Sequence, residues 1–170
     1  MQILDLTSSE PLVALRDKNI LVDTNFLIDG YHYPDIFWDL ISSLKGKGCT
    51  LFTIDAVKYE FMRGSQTTQN YKKKIGFFQK VSDDVRPIGK KETEIVDNLT
   101  RSLLKQSAGT SYIDSLLFAT CIRYDSPIYL LTSDQSDVPL SIFHMKATIG
   151  IDIGDRSCLF AFYLYNKAKY

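Results

Sequence analysis

The stretch NILVDTN, at residues 19–25, decides the fold. Its run NILV ends at Asp23 without the polar alternation of a strand that has one solvent face, so it is typical of a strand buried on both faces. TLFTI at 50–54 and IYLLT at 128–132 repeat this pattern. Short buried strands that alternate with helical patterns predict an α/β domain, a three-layer α/β/α sandwich on a central, mainly parallel sheet.

Helices are predicted where apolar residues recur every three or four positions. One begins at Pro34, a residue suited to the first helical turn, and ends at Gly46. The others are predicted at 55–63, 71–81, 92–106 and 111–124. Near the C-terminus, β-branched and aromatic residues favour two more strands, at 147–153 and 158–165.

The length of 170 residues indicates one domain. We predict a leader at 1–18 and a single domain at 19–170, in which 141–170 forms a C-terminal β extension. The leader lacks the charged start and apolar run of a signal peptide, and no stretch is long enough to span a membrane. Three separated cysteines without a CxxC pair are typical of free thiols in a reducing compartment, so we expect a cytoplasmic protein.

Charge is balanced over the whole chain and uneven along it. Twenty basic and twenty acidic residues exclude a uniformly basic surface for nucleic acid. Residues 63–91 nevertheless hold eight basic residues against two acidic ones, with Lys72, Lys73 and Lys74 in a row. This segment is either a solvated helical face or a surface that binds a phosphate backbone. The alternative basic set for RNA is Arg101, Lys105 and Arg123.

Carboxylates carry the candidate chemistry, because motifs for nucleotide binding, serine hydrolases and zinc proteases are absent. Asp23 ends the first strand, and Asp134 follows the strand at 128–132. Ligands of an open parallel sheet bind at the carboxyl ends of its strands, so we expect both acids at one edge. Nearby turns would add Glu60 and Asp114 to this group.

Carboxylates that converge in one cleft repel each other, and near pH 7 they need a cation or a raised pKa. Ligand sets made of oxygen alone favour Mg²⁺ or Mn²⁺. Each acid also has a purely structural interpretation. These are a cap of the following turn for Asp23, an exposed helix face for Glu60, a capping box with Ser111 for Asp114, and turn caps for Asp134 and Asp137.

Four segments, taken in order, resemble the PIN-domain family: ILVDTNFLIDG (20–30), VKYEFMRG (57–64), YIDSLLFATCIRY (112–124) and YLLTSDQSDVP (129–139). The resemblance covers about residues 19–140, and VDTN and the TSDxxD element are its most specific parts. PIN domains are metal-dependent nucleases that act mostly on RNA, and many are toxins of toxin–antitoxin pairs. The resemblance therefore implies an endoribonuclease that cleaves single-stranded RNA with Mg²⁺ or Mn²⁺.

The resemblance also implies roles for individual residues. The acidic positions of the family fall on Asp23, Glu60, Asp114 and Asp134, with Asp137 as a fifth. The aspartates would hold the metal, and Glu60 would be a ligand or would position the attacking water. Asn25 and Thr132 would orient the carboxylates, and the lysines at 72–74 would bind the RNA backbone. The implied partners are RNA, an antitoxin protein and a second copy of the chain.

Two alternatives stay open at this point. The first is a PIN-like scaffold that binds RNA or a protein without catalysis, against which the set of four acids argues. The second is a phosphatase that works through an aspartyl-phosphate on Asp23, since an aspartate at a strand end also suits that chemistry. Such enzymes usually carry a second aspartate two residues further on, where this chain has Asn25.

Overall fold

The structure is a computed structural model that describes residues 15–103, 110–124, 126–153 and 156–169. Within these residues the strands are β1 (Asn19–Val22), β2 (Thr50–Ile54), β3 (Asp84–Arg86), β4 (Ile128–Thr132), β5 (Phe143–Ile153) and β6 (Arg156–Tyr165). The helices are α1 (Thr24–His32), α2 (Pro34–Gly46), α3 (Asp55–Arg63), α4 (Thr68–Val81), α5 (Lys90–Leu103) and α6 (Tyr112–Arg123). None of the helices described is long and apolar enough to cross a membrane.

The described strands form one sheet in the order β3-β2-β1-β4-β6-β5. The first four are parallel, as the apolar runs predict, whereas β6 is antiparallel to β4 and β5 is antiparallel to β6. Helices α1 to α4 contact one another in one layer, and α5 packs against α6 in a second. The predicted α/β class with a mainly parallel central sheet is confirmed.

The middle of the sheet is the core of the protein. The apolar residues of β1 and β4, such as Leu21 and Leu131, are fully buried because helices cover both faces of these strands. Three rings, those of Phe26, Phe37 and Phe160, meet edge to face with centroids 5.3 to 5.7 Å apart. This contact joins α1 and α2 to β6, so the C-terminal strands belong to the main core.

The predicted element bounds differ from the observed ones mainly at the ends of elements. Strands β5 and β6 begin four and two residues before their predicted starts, because the two pair along almost their whole length. Helix α4 begins at Thr68 rather than at 71, since the Thr67 hydroxyl accepts a hydrogen bond from the Asn70 N–H at 3.1 Å. The predicted end of α5, after Leu103, lies outside the described residues.

Most of the predicted leader, residues 1–14, lies outside the described residues. Its last part packs against the domain: Leu15 is buried, and its carbonyl accepts hydrogen bonds from the Lys18 N–H and the Cys49 thiol. The division into a leader and a domain therefore stays a prediction.

Candidate active site

Asp23 lies where the chain leaves β1 and enters α1, at the carboxyl end of the central strand. After β1 the chain continues to β2, towards one edge of the sheet, and after β4 it continues to β5, towards the other edge. Open α/β sheets form their ligand crevice between two such strands. The carboxylate is 3% exposed and caps the helix, because its Oδ1 accepts the Thr24 N–H at 2.5 Å. The cap interpretation is therefore confirmed, and it leaves the second oxygen free for other partners.

That second oxygen, Oδ2, accepts a hydrogen bond from the Thr132 hydroxyl at 2.7 Å. The Thr132 hydroxyl in turn accepts the N–H of Asp134 at 3.0 Å, so it links Asp23 to the loop after β4. Asn25 Nδ2 lies 3.5 Å from the same carboxylate oxygen, at the outer limit of a hydrogen bond. Both predicted supporting residues thus lie beside Asp23, and Thr132 is the stronger partner.

Glu60 reaches the site from α3 through a residue that the sequence analysis missed. The buried Thr24 hydroxyl donates to Glu60 Oε2 at 2.5 Å, while the Thr24 N–H donates to Asp23. The sequence signal for this role was the threonine directly after the aspartate in VDTN. A continuous chain of hydrogen bonds therefore runs from Glu60 through Thr24 and Asp23 to Thr132.

Asp114 has the structural role that its spacing predicts. It forms a capping box at the start of α6, in which its N–H donates to the Ser111 hydroxyl at 3.1 Å and its Oδ2 accepts the Ser111 N–H at 3.0 Å. Its negative charge also acts on Asp23, whose pKa it raises. The two interpretations of Asp114 are therefore compatible.

Burial raises the pKa of Asp23 to about 6, although the hydrogen bonds from Thr132 and Thr24 lower it. The charges of Asp114 and Glu60 raise it further. A divalent cation here would replace this repulsion by attraction, and carboxylate oxygens are the ligands that Mg²⁺ and Mn²⁺ prefer. The acidic side chains that act on Asp23 are therefore of the chemical type that a hard cation prefers.

The carboxylates of Asp134 and Asp137 are directed to another partner. Both accept hydrogen bonds from the Ser136 hydroxyl, at 3.1 and 3.2 Å, in the turn after β4. Among the described residues, no three histidine, cysteine, aspartate or glutamate side chains lie close enough to hold a metal ion. The structure thus couples Glu60 and Asp114 to Asp23 through charge, and it connects Asp134 to this group only through its backbone.

Replacing Asp23 by Asn should stabilise the metal-free protein above pH 6. Because the pKa of Asp23 rises from 3.8 to about 6 on folding, the stability that the neutral acid provides is lost as pH rises through this window. The asparagine keeps the Thr24 cap but changes the Thr132 contact, so we expect a gain of about 1–2 kcal/mol at pH 8. Urea unfolding in EDTA should show little difference at pH 4; an equal difference at both pH values would contradict this cause.

The three predicted RNA-binding lysines do not share one environment. Lys72 and Lys73 are exposed on α4, whereas Lys74 is 9% exposed. The Lys74 ammonium donates to the Phe61 carbonyl at 2.7 Å, near the C-terminal end of α3, and lies 4.7 Å from the centre of the Phe61 ring. Burial lowers its pKa. Placing Lys74 on the RNA-binding surface is therefore wrong, because this side chain joins α4 to α3.

Variants of these lysines should separate into two classes. Lys74→Ala should lower the free energy of unfolding by about 1–3 kcal/mol, since a buried carbonyl loses its donor. Lys72→Ala/Lys73→Ala should leave stability unchanged and weaken RNA binding, with a salt slope smaller by about 0.7 for each lost phosphate contact. Urea melts and binding constants measured in a KCl series check both; superimposable KCl lines would show that Lys72 and Lys73 are only solvated.

The alternative basic set is also divided by the structure. Arg123 is paired with the buried Glu92 rather than free for RNA, and Arg101 is exposed on α5. Lys105 lies outside the described residues. Arg123 therefore has a structural role, and among the described residues of this set only Arg101 stays a candidate for contact with RNA.

Comparison with known proteins shows the fold only. No protein-family model matches the sequence, and no curated protein matches it. Among solved structures, the crystal structure of VapBC2 from Rickettsia felis, bound to a DNA fragment from their promoter, is similar with a TM-score of 0.53 and 18% identity. The match covers 61% of this chain and 80% of that chain. At 18% identity, the likeness supports the observed α/β fold and assigns no activity.

Proposed function

We propose that this protein is a metal-dependent endoribonuclease of the PIN type. The observation that carries the proposal is the buried Asp23 carboxylate, held by two threonines at the carboxyl end of the central strand and facing the charges of Glu60 and Asp114. A buried anion with a raised pKa at a sheet crevice is typical of a functional site rather than of the core.

Asp23 and Asp114 are the residues that would hold a divalent cation, and Asp134 would join them with a carboxylate turned from Ser136. Bound Mg²⁺ or Mn²⁺ lowers the pKa of a coordinated water and stabilises charge on the phosphoryl oxygens. Thr24 holds one oxygen of Glu60, which leaves the other to accept a hydrogen bond from the attacking water. Thr132 and Asn25 keep the Asp23 carboxylate in one orientation.

An antitoxin partner is part of the same proposal. It is supported by the sequence resemblance and by the fold likeness to VapBC2, and the antitoxin and a second copy of the chain would be the protein partners. Co-expression with the product of an adjacent reading frame, followed by size-exclusion chromatography, tests for a stable complex. A chain that elutes alone at its monomer size would contradict both partners.

The proposal is tested by incubating the protein with end-labelled single-stranded RNA in Mn²⁺ and in EDTA. We expect strand cleavage in Mn²⁺ alone. A phosphatase acting through Asp23 would leave the RNA intact and release phosphate from small phosphate esters. A scaffold would bind RNA and cleave nothing in either buffer.

Metal should also stabilise the fold. A cation that binds the folded cluster and not the unfolded chain adds about 2.7 kcal/mol at a hundredfold excess over its Kd. Thermal melts with and without Mn²⁺ should therefore show a higher Tm for the wild type and no shift for Asp23→Asn/Asp114→Asn. An equal shift in both proteins would place the bound metal elsewhere.

A further inference from the structure

A cleft of about 430 Å³ is lined by residues of α3 and α4. Its lining residues are Asp55, Lys58, Tyr59, Met62, Arg63 and Tyr71. Five of these belong to one face of α3, where residues three and four positions apart are neighbours, and Tyr71 comes from α4. The cleft is thus a surface feature of two packed helices.

The cleft presents two aromatic rings to solvent. Tyr59 is 69% exposed and Tyr71 is 44% exposed, while Met62 between them on the cleft wall is only 8% exposed. Tyrosines on a surface usually bury their rings and expose the hydroxyl alone. Tyr59, which is largely exposed, and Tyr71, which is partly exposed, therefore offer apolar ring surface that a planar ligand can cover.

The cleft also has a positive rim. Lys58 and Arg63 line it, Lys72 follows Tyr71, and within the described residues none of these three forms an ion pair. The one acid there, Asp55, already accepts hydrogen bonds from the N–H groups of Ala56 and Ile88, at 2.8 and 3.2 Å. The lining therefore holds two basic residues against one acidic residue, which favours an anionic ligand.

The cleft and the carboxylate site both take residues from α3. Tyr59 directly precedes Glu60, and consecutive residues of a helix differ by about 100° in direction and 1.5 Å in height. One turn of α3 therefore supplies Glu60 to the site and Tyr59 to the cleft.

We propose that this cleft binds unpaired nucleotides of single-stranded RNA, with bases stacked on Tyr59 and Tyr71 and phosphates held by Lys58 and Arg63. Exposed rings with adjacent cations match a flexible polyanion with free π-faces, which duplex RNA does not present. The proposal rests on the nuclease assignment and deepens it, since it names a surface outside the carboxylate site that would hold the substrate strand.

Binding is measured without metal, so that it is independent of cleavage. Fluorescence anisotropy in EDTA compares a labelled single-stranded RNA with its duplex for wild type, Tyr59→Leu, Tyr71→Leu and the two Tyr→Phe controls. We expect the single strand to bind more tightly than the duplex, about a tenfold or greater loss for each leucine variant, and a change of less than about twofold for each phenylalanine variant. Met145→Ala, on the exposed part of β5, is the control for an unrelated apolar residue.

Three outcomes would overturn the proposal: leucine variants that bind like the wild type, equal affinity for single strand and duplex, or leucine variants that lose a dimer seen by light scattering. The last would show that a second copy of the chain covers the cleft. The nuclease assignment fails separately, when RNA binds at the tyrosines and Mn²⁺ produces no cleavage. Intact cleavage with tyrosine variants of wild-type affinity would overturn the cleft proposal alone.

Discussion

Asp23→Asn should reduce RNA cleavage at saturating Mn²⁺ by more than about a hundredfold. Loss of a residue that only supports a metal ligand costs about 10- to 100-fold, and Asp23 is proposed as a ligand itself. The reason is that Asp23 contacts or senses the other groups of the site. Thr24 and Thr132 donate hydrogen bonds to its carboxylate. The negative charges of Asp114 and Glu60 raise its pKa. Single-turnover rates measure the loss without interference from RNA affinity.

Two controls define this result. Asp97→Asn removes an exposed carboxylate from α5 and should cleave RNA like the wild type. Thr132→Val keeps the acid but removes its hydrogen bond, so we expect an intermediate loss of about 10- to 100-fold. Wild-type cleavage by a folded Asp23→Asn protein would contradict the assignment of the site.

Arg123→Met should lower the free energy of unfolding, because it removes the ion-pair partner of a buried carboxylate. Its guanidinium bonds to Glu92, which is 1% exposed on α5 and also accepts the Gly89 N–H at 3.0 Å. Burial alone raises the pKa of Glu92, and the bonds from Arg123 and Gly89 outweigh it, so the pKa is lower than usual. Without Arg123 the carboxylate would be buried and unpaired.

The direction of the pH effect follows from that lowered pKa. In the wild type, Glu92 stabilises the fold above its unfolded pKa and loses this contribution as pH falls through the folded value. The deficit of Arg123→Met should therefore be larger at pH 7 than at pH 4, and Glu92→Gln/Arg123→Met should recover part of it. Urea unfolding measures this, with Arg101→Met on the exposed face of α5 as the control. A loss of stability no larger than that of the control would show that the pair contributes little.

The central strands and Asp23 were predictable because parallel strands buried on both faces leave continuous apolar runs in the sequence. Strand β3 was not, since its three residues, DVR, become a strand only by pairing with β2. Helix α1 was not predicted either, although Asp23 was considered as a cap. Local signals thus identify long buried elements, and tertiary pairing decides the short ones.

The candidate site shows the same limit at the level of side chains. Its acids were predictable from their places at element ends, but the direction in which each carboxylate points was not, as the Ser136 contacts of Asp134 and Asp137 show. Lys74 was misplaced because a run of lysines specifies charge and not burial. Its burial follows from the nearby Phe61 carbonyl, which belongs to a different helix.

Carboxylates around Asp23 are proposed to use a divalent cation to hydrolyse RNA. The most direct measurement is the rate of cleavage of a defined single-stranded RNA as Mn²⁺ is titrated into metal-free protein, with analysis of the product ends. We predict no cleavage in EDTA, a rate that saturates with Mn²⁺, and linear phosphate ends, because water rather than the 2′-hydroxyl attacks phosphorus. Cleavage that persists in EDTA, or that leaves 2′,3′-cyclic phosphate ends, would contradict the account.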